Sequence, residues 1–409
     1  MRLTLINQFY TPDISPTAHL CASLAQHRAQ RGDRVTIVTS RGGYLGRIQP
    51  DQDNSSVRVH RLWTPQFGSR TKPGRLLDWL SFYLVAAVRL MTLERQDVIV
   101  AMTTPPCIAW AGALHRLLHP RAKLVLWNMD CWPDIAERLG MIRKGGFASR
   151  VMRMMNRALF ARLDYLVCLD GAMAELLLAN YSSPRPHNWR IIPNWERAAL
   201  FAAVQDAPPW GDPMAASLRG RFIVLYLGNA GYGHEFETML DAACQLRDEP
   251  VTFLLVGGGA KWDWIDRQRR QRRLANIVLH EYVPKNQTAS IMAAADCALI
   301  TLDDIALGVM SPSKLHAKLA MGLPVIYVGP RGSNVDEAIG RFDCGVSLRC
   351  GESEKMAGFI RSLMKDRTCH IELRRRARLA FDESYCDRKT LPQFDTVFDQ
   401  LSGQADFTC

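Results

Sequence analysis

Three stretches in the second half of the chain carry residue types that could hold a phosphate. In FIVLYLGNAGYGHEFETML an apolar run enters Gly228, followed by Gly231 and Gly233 and then a helical pattern. In TFLLVGGGAKW, Gly257, Gly258 and Gly259 close a second apolar run. In GVMSPSKLHAKLAMGLPVIYV, residues 308–328, a Ser-Pro-Ser-Lys run opens a short helical pattern that Gly322 ends. Glycines let backbone approach an anion, and a helix starting there offers unpaired N–H groups. Ser311 reads as the N-cap of the third stretch and Pro312 as its first-turn proline. Lys314 then opposes the helix dipole, at about 0.3–1 kcal/mol, unless an anion sits beside it. Each stretch alone is also what a ligand-free turn or a solvated lysine looks like. The spacing is not Gly-x-Gly-x-x-Gly, so a dinucleotide fingerprint has no support. Neither a Gly-x-Ser-x-Gly nor a His-Glu-x-x-His pattern occurs, which leaves hydrolase readings without support.

The elements that must position these residues alternate between strand and helix. In the first half, strands are predicted at 2–7, 34–39, 57–63, 97–102, 123–128 and 165–169, with helices between them. In the second half they are predicted at 222–227, 251–256, 276–279, 297–301, 324–328 and 345–348. The runs RVTIVTS, DVIVAM, KLVLWN and YLVCL are apolar without alternation, the pattern of strands buried on both faces of a parallel sheet. Residues 196–220, with their prolines and a Gly-Asp-Pro, break the rhythm and read as a linker. The organisation is therefore α/β: a first doubly wound domain over 1–195, a second over 221–380, and a helical tail over 381–409. Ligands of such sheets bind beyond the carboxyl ends of the strands. All three glycine- or proline-marked turns fall at such ends and can converge on one edge.

The chain has 409 residues, 48% of them apolar, and a net charge of +11 with a pI near 9.2. That balance favours an anionic partner: nucleotide phosphate, nucleic acid or an acidic membrane surface. No recognition-helix or stacking motif supports nucleic acid. Eleven cysteines without a Cys-x-x-Cys pair fit a reducing, cytoplasmic setting. His19, His27 and His316 show no metal-ligand spacing. Residues 76–93 are apolar enough to raise a membrane span, but Asp78 and Arg89 favour a buried or interface-lying helix. Between Met141 and Leu163 there are six basic residues and no acidic one, interleaved with methionines, leucines and phenylalanine. Such a basic amphipathic helix can lie on an anionic membrane, or simply present a solvated face.

The ordered set YLGNAGYGHEFETMLDAA, FLLVGGGA, IMAAADCALITL and PSKLHAKLAMGLPVIYV resembles the donor-binding domain of family 4 glycosyltransferases. LTLINQFYTPD, LAQHRAQRGDRVTIVTS, WNMDCWPDIAERLG and RIIPNWERAALF resemble the first domain of the subgroup that builds bacterial surface polysaccharides, including colanic-acid and N-acetylfucosamine transferases. The resemblance implies a GT-B fold, with two Rossmann-like domains facing a cleft, the tail returning to the first domain, and sugar transfer from a nucleotide sugar. It implies retention of anomeric configuration and no metal or other cofactor; the nucleotide sugar, UDP- or GDP-linked, is the substrate. The implied acceptor is a saccharide or a polyprenyl-linked saccharide, and the implied place is the cytoplasm, at the inner face of the cell membrane.

By the same resemblance, Gly228 and Asn229 approach the donor diphosphate, His234 lies near the phosphates, and Ser313 and Lys314 sit on the diphosphate. Gly257 and Gly258 complete the donor edge, and Asp130 orients the acceptor hydroxyl or takes its proton. Asp130 also reads as an ordinary turn or cap residue. The chain departs from the family at Val309 and Ala317, where glutamates are common, at Tyr232, where arginine is common, and at Ser15-Pro16, in place of a glycine pair. Two other classes stay open on these departures: a non-catalytic nucleotide-sugar-binding or scaffold protein, and a nucleotide-sugar epimerase of the same architecture.

Overall fold

The computed structural model describes residues 1–13, 15–43, 46–47, 56–67, 72–181, 188–201, 210–284 and 287–403. The expected linker at 196–220 and the expected tail at 381–409 lie partly outside these residues, at 202–209 and 404–409. The chain divides into two compact units, Met1–Pro193 with Leu391–Cys409, and Asn194–Thr390.

The first unit is built on a seven-stranded parallel sheet. Its strands are β1 (Arg2–Ile6), β2 (Arg34–Ser40), β3 (Val57–Leu62), β4 (Val98–Ala101), β5 (Lys123–Trp127), β6 (Tyr165–Cys168) and β7 (Asn188–Ile191). They lie in the order β3-β2-β1-β4-β5-β6-β7. The central strands are buried on both faces, as their unbroken apolar runs require. β7 is the exception, an edge strand whose residues are largely exposed, and its NWRI carries no apolar run for a sequence reading to find.

The last helix, Asp387–Ser402, begins in the second unit, and from Leu391 on it belongs to the first. There Phe394 packs edge-on against Trp127 at 4.7 Å between ring centroids. Asp395 accepts from Arg28 Nη1 at 2.5 Å and contacts His27 Nε2 at 2.9 Å. Arg28 also donates from Nε to Asp33 at 2.7 Å, so this buried guanidinium is shared by two carboxylates.

The second unit repeats the plan with six parallel strands. They are β8 (Phe222–Asn229), β9 (Val251–Gly258), β10 (Ile277–His280), β11 (Cys297–Thr301), β12 (Val325–Val328) and β13 (Gly345–Leu348). The order is β10-β9-β8-β11-β12-β13. In both units the chain runs outward over three strands, returns, and continues past the first, which is the Rossmann arrangement with its switch point beside β1 or β8. The core of the second unit is set by Tyr226, Phe236, Phe253, Leu255, Leu299 and Ile326, all buried, with Trp262 and Trp264 packed on its margin.

One expectation needs correction. The helix after β11 runs Lys314–Ala320, and its N-cap is Ser313, not Ser311. Ser313 is itself in helical conformation and makes no side-chain cap bond. The Pro312 carbonyl accepts instead from Asn334 Nδ2 at 3.3 Å, which draws the Ser311-Pro312 segment out of the helix.

Candidate functional site

At the switch point of the second sheet, β8 and β9 leave the core side by side, with Gly228 opposite Gly257 and Asn229 opposite Gly258. Gly257 has φ +145°, and a Cβ there would lie 2.1 Å from the Gly228 carbonyl oxygen, so only glycine lets the two strand ends close up. Gly228 has φ +133°, and a Cβ on it would meet Lys314 Cε at 2.8 Å. The missing side chain is the groove in which the lysine stem lies. The Asn229 carbonyl accepts from Tyr226 Oη at 2.8 Å, and the Gly258 carbonyl from the Ala230 N–H at 2.7 Å, which fixes the turn.

Lys314 opens the helix Lys314–Ala320. Its Nζ is 2.8 Å from His234 Nε2 and 5.1 Å from the centre of the Tyr226 ring. The other imidazole nitrogen, His234 Nδ1, is 2.6 Å from the Thr301 carbonyl oxygen. A carbonyl only accepts, so Nδ1 carries the hydrogen and Nε2 offers its lone pair to the ammonium. Burial, reinforced by the Lys314 charge, lowers the His234 pKa to about 3 and keeps the ring neutral. Burial and then the nearby Lys318 charge lower Lys314 to about 7. Lys318, four residues on, donates to the Leu227 carbonyl at 3.3 Å and is lowered to about 8 by its own burial, against a raising effect of Glu196. Among the described residues no carboxylate pairs with Lys314. The edge thus holds a half-buried amine that no carboxylate of the described residues pairs with.

The structure therefore brings Gly228, Asn229, His234, Gly257, Gly258 and Lys314 together. Ser313 is adjacent by sequence; it is exposed, and its carbonyl accepts from His316 Nδ1 at 3.1 Å. The sequence reading missed Tyr226, the Thr301 carbonyl and Lys318. Lys318 had a usable signal, because a lysine four residues after Lys314 shares its helix face.

Asp130 lies in the first unit, just past β5. The Met129 and Asp130 N–H groups both donate to Thr103 Oγ1, at 3.0 and 3.1 Å. The carboxyl faces a pocket walled by Met102, Trp132, Leu159 and Phe160, and its burial raises its pKa to about 6. A carboxyl in such a place can exchange a proton near neutral pH.

Two family models match this chain in tandem. The Glycosyl transferase 4-like domain matches residues 17–195, and Glycosyl transferases group 1 matches residues 221–366. The chain is a glycosyltransferase. It is 25% identical over 341 residues, 79% of this chain and 82% of the other, to the putative colanic acid biosynthesis glycosyl transferase WcaI of Escherichia coli (strain K12). Among solved structures, sucrose-phosphate synthase from Thermosynechococcus elongatus matches with a TM-score of 0.72 at 15% identity, over 98% of this chain and 99% of that one. HepE of Anabaena, in complex with UDP, matches with 0.68 at 14% identity, over 98% and 100%. At these identities the structural matches establish the fold, GT-B, for this glycosyltransferase. The first family model contains Asp130, and the second contains every residue of the lysine-centred edge.

Proposed function

We propose that this glycosyltransferase moves a sugar from a UDP- or GDP-linked donor to a saccharide or lipid-linked saccharide acceptor during the building of bacterial surface polysaccharide. The observation that carries this reading is the half-buried, carboxylate-free ammonium of Lys314 lying across Gly228. A bound diphosphate would supply the missing anion, and the ammonium would stabilise the charge that grows on the leaving nucleoside diphosphate. The polysaccharide setting is supported by the name of WcaI, and the nucleotide by the UDP held in HepE. Retention of configuration and independence from metal are carried over from the family resemblance. Asp130 is assigned to the acceptor hydroxyl, as orienting group or proton acceptor. The test is a thermal-shift panel of UDP-, GDP- and other nucleotide sugars, since a ligand of the native state raises its stability. A stabilising donor is then assayed for transfer, with product analysis in the absence of acceptor to detect epimerisation. A panel without any shift overturns the donor assignment.

The first unit is assigned to an anionic membrane surface. No helix among the described residues is long and apolar enough to cross a membrane. On the helix Lys72–Met91, Leu76, Leu77, Leu80, Leu84, Val88 and Met91 are nevertheless exposed. At 3.6 residues per turn they fall within about 120° of arc, a single apolar stripe. Phe147 and Met154 are exposed on the helix Phe147–Phe160, beside exposed Arg150 and Arg157. Co-sedimentation with vesicles containing phosphatidylglycerol should be lost in Leu80→Glu/Leu84→Glu; retention by the variant overturns the assignment.

A further inference from the structure

Among the described residues His234 is the one whose side chain hydrogen-bonds the Lys314 ammonium, and it lies inside the protein. The ring is buried, with 3% of its surface exposed. It sits 6.2 Å from the Tyr226 ring at an interplanar angle of 81°, and 6.4 Å from Phe236. Its own carbonyl accepts from Lys261 Nζ, and the Asp303 N–H holds the preceding Gly233 carbonyl at 2.9 Å. We propose that His234 is a positioning residue: with Nδ1–H anchored on the Thr301 carbonyl, its Nε2 lone pair holds the Lys314 ammonium over Gly228, where the donor diphosphate is to be met. This gives a definite role to the place near the phosphates that the family resemblance implied for His234, and it rests on the donor reading above. A protonated imidazole would place two cations 2.8 Å apart, so only the neutral ring, as burial enforces, can serve.

Two amides separate the two bonds of the ring. The Asn side-chain amide reaches the place of Nδ1 and keeps a donor for Thr301 while losing the acceptor for Lys314. The longer Gln amide reaches the place of Nε2 and keeps that acceptor. UDP and GDP binding to the full chain is measured by titration calorimetry, with folding of each variant checked by its melting transition. His234→Asn should bind the preferred nucleotide about 10-fold more weakly, the order expected for losing a hydrogen bond to a charged group, and His234→Gln should stay within about 3-fold of wild type. In a Lys314→Met background, His234→Asn should cost nothing further, because the two residues act as one. Equal losses in the Asn and Gln variants, or additive losses in the double variant, overturn the proposal while leaving the donor reading intact. A wild-type chain that binds neither nucleotide overturns the donor reading and this proposal with it. If His234→Asn does not fold, His234→Ser, which leaves the Thr301 carbonyl to water, takes its place in both comparisons.

Discussion

The two sheets share a strand order and end in opposite chemistry. Past β8 and β9 the second unit places glycines, a neutral histidine and a half-buried lysine. Past β5 the first unit places a carboxyl in a pocket that mixes apolar walls with Asn128 and Asn156, with a threonine hydroxyl holding its backbone. Burial acts on both groups and pushes each toward its neutral form, so the lysine falls to about 7 and the aspartic acid rises to about 6. One architecture thus poises a cation and an acid near the same pH by withholding water. The difference between the edges lies in the backbone: at the lysine edge two strand ends close up through glycine, whereas the Asp130 edge offers a pocket with side-chain walls.

Breaking the lysine edge should have the largest effect. Lys314→Ala is expected to reduce turnover about 10²- to 10³-fold, read as kcat with the best donor of the panel. Asp130→Asn should cost about 10²-fold in kcat, with donor affinity unchanged; a change in affinity alone would erase the division of labour between the edges. The pH profile sharpens the contrast. Asp130 must be ionised to accept a proton and Lys314 protonated to hold the diphosphate, so kcat/KM should rise through about pH 6 and fall above about pH 7. A bound diphosphate favours the ammonium, so the alkaline limb of kcat should lie at higher pH than that of kcat/KM. Glycine substitutions compare the edge with a packed helix. Gly257→Ala drives a methyl into the Gly228 carbonyl and should cost about 3 kcal/mol in denaturant unfolding. Gly112→Ala meets side chains and no backbone, nearest Leu124 Cδ1 and Ile99 Cγ2 at 2.7 and 3.1 Å, and should cost about 1 kcal/mol. The smallest expected effect is none: EDTA should leave turnover unchanged if Lys314 does the work that a metal ion does elsewhere.

Much of this was legible in the sequence, for reasons that also mark its limit. Strands buried on both faces write continuous apolar runs, which made the inner strands plain, and the strand–helix rhythm placed edge strands such as VRVHRL and GVSL, so twelve of the thirteen strands of the two sheets could be placed. β7 escaped because an exposed edge writes no such run. Gly228 and Gly257 announced a close backbone approach, and Lys314 stood against a helix dipole. His234 and Thr301, by contrast, are 67 positions apart, and nothing local in either says that they meet. The cap at Ser311 failed for the same kind of reason: Asn334, 22 positions on, takes the carbonyl of Pro312.

The ownership of the last helix has a consequence for synthesis. Arg28, Asp33 and Trp127 are made before the whole of the second unit, yet Phe394 and Asp395 that complete their surroundings are made after it. The second unit, encoded later, has all of its own strands before that point and can finish first. Until then the nascent first unit holds Arg28 on Asp33 alone and Trp127 without its Phe394 contact, and a truncation before Leu391 would leave it so.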